Sequence, residues 1–374
     1  MPYNHSRREF FQKMSGGLGA AIATIALADK TNASPFLVRK DAKKLGVALV
    51  GLGSYAKNQL AVALEKTSNC YLAGIVTGTP AKADEWQKKY NLDKKNIYNY
   101  QNFDSIANNK DIDIVYVVLP NSMHKEYVIR AAKAGKHVMC EKPMSTSVKD
   151  AEDMVKACKD ANVQLGIGYR MHFEPFTKEV VRQCREKVIG DVKFIQTNFG
   201  FNIGDPAQWR LKKEYAGGGP LMDVGIYCVQ ASRYVTGEEP LSVTAQYGPI
   251  TEPNIFKDVE QSISWQLEFP GHATVNGFSS YRSNIEQLYV SGTKGFIQLS
   301  PAYSYGPIKG STNAGPLNLP VVHHQTVMME EICKSFLETG KFPEHINGME
   351  GVRDMKILMS IYEAAATGKK ISLV

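Results

Sequence analysis

Leu45-Gly46-Val47-Ala48-Leu49-Val50-Gly51-Leu52-Gly53-Ser54-Tyr55-Ala56 is the stretch on which the fold turns. An apolar run leads into G-x-G-x-x-A, and helical periodicity follows. This is a strand, a tight turn and a helix opening a βαβ unit. Gly51 permits the turn, Gly53 lets the main chain approach a pyrophosphate, and Ala56 allows close packing of helix on strand. The helix N-terminus offers free N–H groups and a partial positive charge to phosphate oxygens. A dinucleotide site at the start of a parallel sheet is expected.

The same rhythm continues outward. Apolar runs at 71–76, 114–119, 137–140 and 163–167 predict further strands, with amphipathic helices at 123–134 and 148–161 between them. Beyond Tyr169 the pattern changes to helices at 175–188 and 221–235. Alternating stretches then follow at 241–247, 262–269, 272–279, 287–291 and 296–299. The expected fold is an α/β Rossmann N-terminal domain over 45–165, then an α+β C-terminal domain over 166–374 with a large, mostly antiparallel open sheet. An open face of that size is expected to be covered in a homo-oligomer, dimer or tetramer.

The 44 basic and 37 acidic residues give a net charge of +7, spread without a basic block, so no nucleic-acid partner is expected. The six cysteines form no C-x-x-C pair and no zinc-like spacing, so no metal is expected; buried thiols are, with disulfides left open. Ser6-Arg7-Arg8-Glu9-Phe10-Phe11 precedes a weakly apolar stretch ending in Ala26-Leu27-Ala28. Residues 1–28 thus resemble a twin-arginine export signal, followed by a connector over 29–44. A periplasmic or otherwise exported protein is expected, with no membrane partner after export, since this stretch is too short for a stable anchor. The competing reading, an ordinary first helix, is weakened by Gly16, Gly17 and Gly19.

At the end of the second strand, where an acidic residue would hold a ribose 2′-hydroxyl, the chain reads Thr77-Gly78, with Lys82 following. No carboxylate repels a 2′-phosphate there and a lysine attracts it, so NADP is expected over NAD, although Lys82 also suits a solvated helix surface. Glu141-Lys142-Pro143 comes directly after the 137–140 run, at the carboxyl edge of the sheet where doubly wound folds bind ligands. Standing alone, this lysine would read as a surface residue.

It is accompanied by Leu119-Pro120-Asn121-Ser122, Gly166-Ile167-Gly168-Tyr169-Arg170, Asp205-Pro206-Ala207-Gln208-Trp209-Arg210 and Gly217-Gly218-Gly219-Pro220-Leu221-Met222-Asp223-Val224-Gly225-Ile226-Tyr227. With these motifs nearly the whole chain after the signal resembles the Gfo/Idh/MocA family of sugar and cyclitol dehydrogenases, and within it the glucose-fructose oxidoreductase branch. Most of the family carries histidine four residues after the aspartate; Tyr227 here is the form of that branch.

The resemblance implies oxidation of an aldose to its lactone and reduction of a ketose such as fructose on one tightly bound NADP. Its alternatives are another sugar or cyclitol dehydrogenase, or an NAD-dependent glycosidase using transient oxidation at C3. Lys142, Asp223 and Tyr227 are the expected catalytic residues. A phenol is ordinarily too weakly acidic to serve as a base, but a neighbouring Lys142 ammonium and a positive nicotinamide both favour phenolate. Asp223, one helical turn earlier, is expected to orient Lys142 or bind a sugar hydroxyl. Besides Gly51, Gly53, Thr77 and Lys82, the expected cofactor site takes in Ser54, Tyr55, Pro120 and Asn121, then His124, Glu141, Lys142 and Arg170. The expected sugar site comprises Tyr169, Arg170, Trp209, Arg210, Asp223 and Tyr227, with core filling the alternative for Trp209. His323 and His324 read as structural or interface residues.

Overall fold

β1 (Leu45–Val50) is buried along its whole length, as a central parallel strand between two helical layers must be. A tight turn and a π-helical segment (Ala56–Leu60) carry the chain into α1 (Ala61–Lys66). Then follow β2 (Cys70–Val76), α2 (Pro80–Tyr90), β3 (Ile97–Tyr98), β4 (Ile114–Val117), α3 (His124–Lys133), β5 (His137–Cys140), α4 (Val148–Asp160) and β6 (Leu165–Ile167). The strands form a parallel sheet in the order β3-β2-β1-β4-β5-β6. Successive strands run outward from β1 to β3 and then restart beside β1 at β4. That reversal opens a crevice at the carboxyl ends of β1 and β4. The structure is a computed structural model and describes residues 44–374; the expected export signal and connector residues 29–43 lie outside the described residues.

The chain continues through α5 (Pro175–Arg185), β7 (Val192–Gly200), a π-helical turn (Leu221–Gly225) and α6 (Ile226–Thr236). β8 (Ser242–Tyr247), β9 (Ser262–Glu268), β10 (Thr274–Ser280), β11 (Ile285–Gly292), β12 (Gly295–Leu299), β13 (Gly310–Thr312) and β14 (Gly315–Pro316) precede α7 (His324–Thr339), α8 (Gly348–Thr367) and β15 (Ile371–Ser372). The second sheet has nine strands in the order β14-β13-β12-β11-β7-β10-β9-β8-β15. Its β7–β10 pair is parallel and its other pairs are antiparallel. The expected α/β and α+β classes both stand.

β7 lies at the centre of this sheet and is not among the expected strands. Its buried positions include Thr197 and Asn198, so the apolar alternation that marks β8 to β12 is missing. The expected boundary at 165/166 also cuts through β6. Residues far beyond it return to the first sheet: α7 packs on α1 and β2, and α8 on α4 and β6. The rhythm of the sequence marks where strands stop alternating with helices, but carries no trace of these long-range contacts.

Arg233 on α6 fastens that return. Its guanidinium, 5% exposed, meets Asp354 at 2.8 Å and Glu350 at 2.7 Å on α8, and Glu239 at 2.6 Å. Gln230 donates to the second oxygen of Asp354 at 2.8 Å. Replacing Arg233 by Ala strands the buried Asp354 carboxylate, with an expected loss of about 3–5 kcal/mol; denaturant unfolding of the two proteins at neutral pH measures it.

Candidate active site

The crevice is a cleft of about 1400 Å³ reaching from the switch point to the second sheet. At its first end Gly51 takes φ +94°, and a Cβ there would sit 2.6 Å from the Val118 carbonyl oxygen, so only glycine fits the turn. Around Gly53 nothing lies within 4 Å of a would-be Cβ, which leaves open space beside the main chain. Thr77, Thr79, Lys82 and Tyr100 line the same end. Thr77 Oγ1 accepts from the Thr79 amide at 3.2 Å, and Lys82 Nζ donates to the Leu52 carbonyl at 3.3 Å. The acidic residues lining the cleft are Glu141 and Asp223, which belong to the groups described next, and Glu286, whose carboxylate accepts from the Tyr303 and Ser304 amides. An extended dinucleotide fits this shape: an open glycine shoulder for its phosphates, hydroxyls and an ammonium at the ribose end.

At the other end the two sheets meet. Lys142, just past β5, donates its ammonium to the main-chain carbonyl of Asp223 at 2.7 Å and stands 3.6 Å from the Asp223 carboxylate. It also lies 4.8 Å from the centre of the Tyr227 ring. Behind it Glu141 is buried and accepts from the Tyr116 hydroxyl at 2.7 Å and the Lys142 amide at 3.2 Å. Gly168 makes room for the pair, since a Cβ there would come within 2.6 Å of both oxygens.

Asp223 and Tyr227 face Lys142 from the π-helical turn and the start of α6. Burial opposes charge on Asp223, but Arg210, Lys142 and the Tyr281 hydroxyl together outweigh it and hold the carboxyl below its usual range. Arg210 Nε lies 3.1 Å from Oδ2, and Tyr281 donates to the same oxygen at 3.1 Å. The Asp223 charge raises Arg210 in turn. The Arg210 guanidinium stacks 4.6 Å from the Trp209 ring. Arg170 Nε donates to the Tyr227 hydroxyl at 3.3 Å, while Phe199 packs edge-on against the Tyr227 ring.

The family model described as an oxidoreductase family with an NAD-binding Rossmann fold matches residues 45–169, and that of the GFO/IDH/MocA C-terminal domain matches residues 177–298. The chain belongs to the Gfo/Idh/MocA family. D-xylose 1-dehydrogenase (NADP(+)) of Haloarcula marismortui is 30% identical, over 87% of this chain and 92% of its own length. The crystal structure of aldose-aldose oxidoreductase from Caulobacter crescentus, complexed with glycerol, matches with a TM-score of 0.86 at 40% identity, covering 88% of this chain and 100% of that one. The 2,7-anhydro-N-acetylneuraminate hydratase of Escherichia coli is 33% identical over 56% of this chain and 58% of its length.

Within this Gfo/Idh/MocA cleft the structure brings together Lys142, Asp223, Tyr227, Arg170, Trp209 and Arg210, with Gly51, Gly53, Ser54, Tyr55, Thr77, Lys82, Pro120, Asn121 and Glu141. Two expected residues are not in it. His124 is fully buried, its ring nitrogens against the Leu119 carbonyl at 2.8 Å and the Pro143 carbonyl at 3.0 Å. It ties two cleft-forming turns to each other from behind. Tyr169, 2% exposed, points away from its neighbour Arg170 towards His172. Sequence reading missed Tyr116, Tyr281, Tyr303 and Tyr305, which lie outside the motifs. His324, expected as a structural or interface residue, is buried and contacts Arg170.

Burial raises the Glu141 carboxyl above its ordinary value, against the pull of the Tyr116 hydroxyl and Lys142. The folded chain therefore keeps a proton that the unfolded chain loses. This contribution makes stability fall as pH rises beyond the ordinary glutamate value of about 4.3. Relative to Glu141→Gln, the wild type is expected to lose unfolding midpoint as pH rises above about 4.3; parallel urea-midpoint curves for the two proteins would refute the assignment.

Proposed function

We propose that this chain is an NADP-dependent sugar oxidoreductase that oxidises a CH–OH group of an aldose and returns the reducing equivalents to a second sugar carbonyl at the same site. The observation that carries this reading is the convergence of two cations on Tyr227, Arg170 at its hydroxyl and Lys142 at its ring, with Asp223 beside Lys142 in a dinucleotide-shaped cleft. A bound nicotinamide supplies the hydride acceptor. Entering the step as phenolate, Tyr227 Oη takes the proton of the sugar hydroxyl and becomes the neutral phenol, and the Lys142 and Arg170 cations stabilise the negative charge shared between the two oxygens. The ionised Asp223 accepts from a sugar hydroxyl, and the Trp209 face stacks on the pyranose. In the reverse direction Tyr227 returns its proton to the carbonyl being reduced.

The NADP(+)-dependent xylose dehydrogenase supports the cofactor, as does a ribose end with Thr77 and Lys82 but no carboxylate. The aldose-aldose oxidoreductase supports a two-sugar cycle and makes an aldose acceptor as reasonable as the ketose expected from the sequence. The hydratase favours, as second reading, a net reaction without redox change in which the same transfers are transient. The paired arginines at 7–8 support export of the folded protein with its cofactor. A homo-oligomer is supported by an uncharged cross-strand row over the open sheet: Thr244, Gln266, Asn276, Gln196, Tyr289 and Gln298.

The test is a panel of aldoses and ketoses against the protein as isolated, following nicotinamide absorbance in a single turnover and identifying products. Tyr227→Phe is expected to retain NADP and lose the chemical step by about a hundredfold or more; undiminished turnover would show that another group is the base. Thr77→Asp sets a carboxylate at the ribose end. It is expected to weaken NADP binding by about tenfold or more while sparing NAD, as measured by fluorescence titration with each dinucleotide.

A further inference from the structure

We propose that His324 is a positioning residue that fixes the Arg170 guanidinium beside the Tyr227 hydroxyl while leaving its positive charge uncancelled. This rests on the reading of Tyr227 as the group that exchanges a proton with the sugar.

Arg170 is 3% exposed, and every acceptor around it is neutral. Nε donates to the Tyr227 hydroxyl; Nη1 meets His324 Nδ1 at 2.8 Å, the Ser304 carbonyl at 3.3 Å and the Met171 sulfur at 3.0 Å; Nη2 donates to the Tyr303 carbonyl. The rings of Tyr227 and Tyr305 lie 4.9 and 4.8 Å from its carbon. Among the described residues no carboxylate forms an ion pair with it. The contrast with Arg233, the other buried arginine among the described residues, is sharp: Arg233 meets three carboxylates, and the partly exposed Arg210 meets Asp223. A buried cation without a counter-charge is costly, and such cost persists where it is used. Here the unspent charge faces the phenol oxygen, which carries negative charge whenever Tyr227 has given up its proton.

His324 is what makes the arrangement specific. Burial and the adjacent Arg170 push its pKa down to about 3, so Nδ1 is a neutral acceptor throughout the working pH range. A carboxylate in the same place would hold the guanidinium as well, but would cancel the charge that Tyr227 needs. The imidazole is itself held at the start of α7, between His323, which bonds Gln59 at 3.0 Å, and Gln325, whose amide reaches the Tyr55 hydroxyl at 3.4 Å. The same helix start thus touches both the fingerprint helix and the reacting end of the cleft.

Asparagine and aspartate both set an oxygen where Nδ1 stands and differ in charge. The experiment compares His324→Asn with His324→Asp in the full-length protein loaded with NADP. The single-turnover rate of sugar-driven nicotinamide reduction is read together with kcat, KM and NADP affinity. Asparagine is expected to keep the rate within about threefold of wild type, and aspartate to lower it by about tenfold or more through kcat rather than KM. Equal rates in the two variants would overturn the proposal. Should the aspartate variant fail to fold, Arg170→Lys against Arg170→Met asks the same question, with lysine expected to be faster by about tenfold and equal rates again overturning it. A wild type whose nicotinamide no sugar of the panel reduces would bring down the proposed function, and this proposal with it; a reactive wild type with equal variants brings down this proposal alone.

Discussion

The donation of the Lys142 ammonium to the main-chain carbonyl of Asp223 is the contact across which the two sheets share one site. Each partner is fixed from its own side. Lys142 follows β5 in a turn whose next carbonyl, that of Pro143, is held by His124, and Glu141 is held by Tyr116. Asp223 sits in a π-helical turn whose opening amides, Gly219 and Leu221, both donate to the buried Glu260, itself bonded by the Tyr362 hydroxyl. A Cβ at Gly218 would lie 2.0 Å from that hydroxyl, so the glycine run is what lets α8 reach under the turn.

This construction sorts charges by use. Arg210 and Asp223 satisfy each other, and burial disfavours charge on Glu141. Lys142 and Arg170 remain as the two cations nearest the Tyr227 ring; Lys142 is anchored on a main-chain carbonyl with the Asp223 carboxylate 3.6 Å away, and Arg170 on neutral acceptors alone. A low-dielectric cleft with positive charge in reserve suits chemistry in which an alkoxide-like oxygen forms and disappears. The same residues, left without a reacting oxygen, would be an electrostatic liability, which is why they are embedded in so many backbone contacts.

How much of this was legible follows from the range of each interaction. The Gly51 turn, the bare shoulder at Gly53 and the absence of an acid at Thr77 are local facts of main chain and side-chain type, and the sequence reading of them stands. Asp223 and Tyr227 fall on one face by helical spacing alone. Tyr169 and Arg170, adjacent in a motif, diverge because neighbouring side chains leave the chain in different directions, and adjacency says nothing of which enters the cleft. His124 keeps the company of cleft residues while serving them from behind. Tyr281, Tyr303 and His324 reach the site from loops and a helix more than fifty residues past the last motif, where no local pattern announces them. β7 escaped for a related reason: the strand at the centre of the second sheet is polar where it approaches the site.

The return of α7 and α8 onto the first sheet has a consequence for biosynthesis. Residues 324–367 complete the layers around a dinucleotide fold that begins at residue 45, so a ribosome that has finished the fingerprint, and even the whole parallel sheet, has not yet made the helices that close it. The parallel sheet is therefore left without part of its helical cover until α7 and α8 have been synthesised.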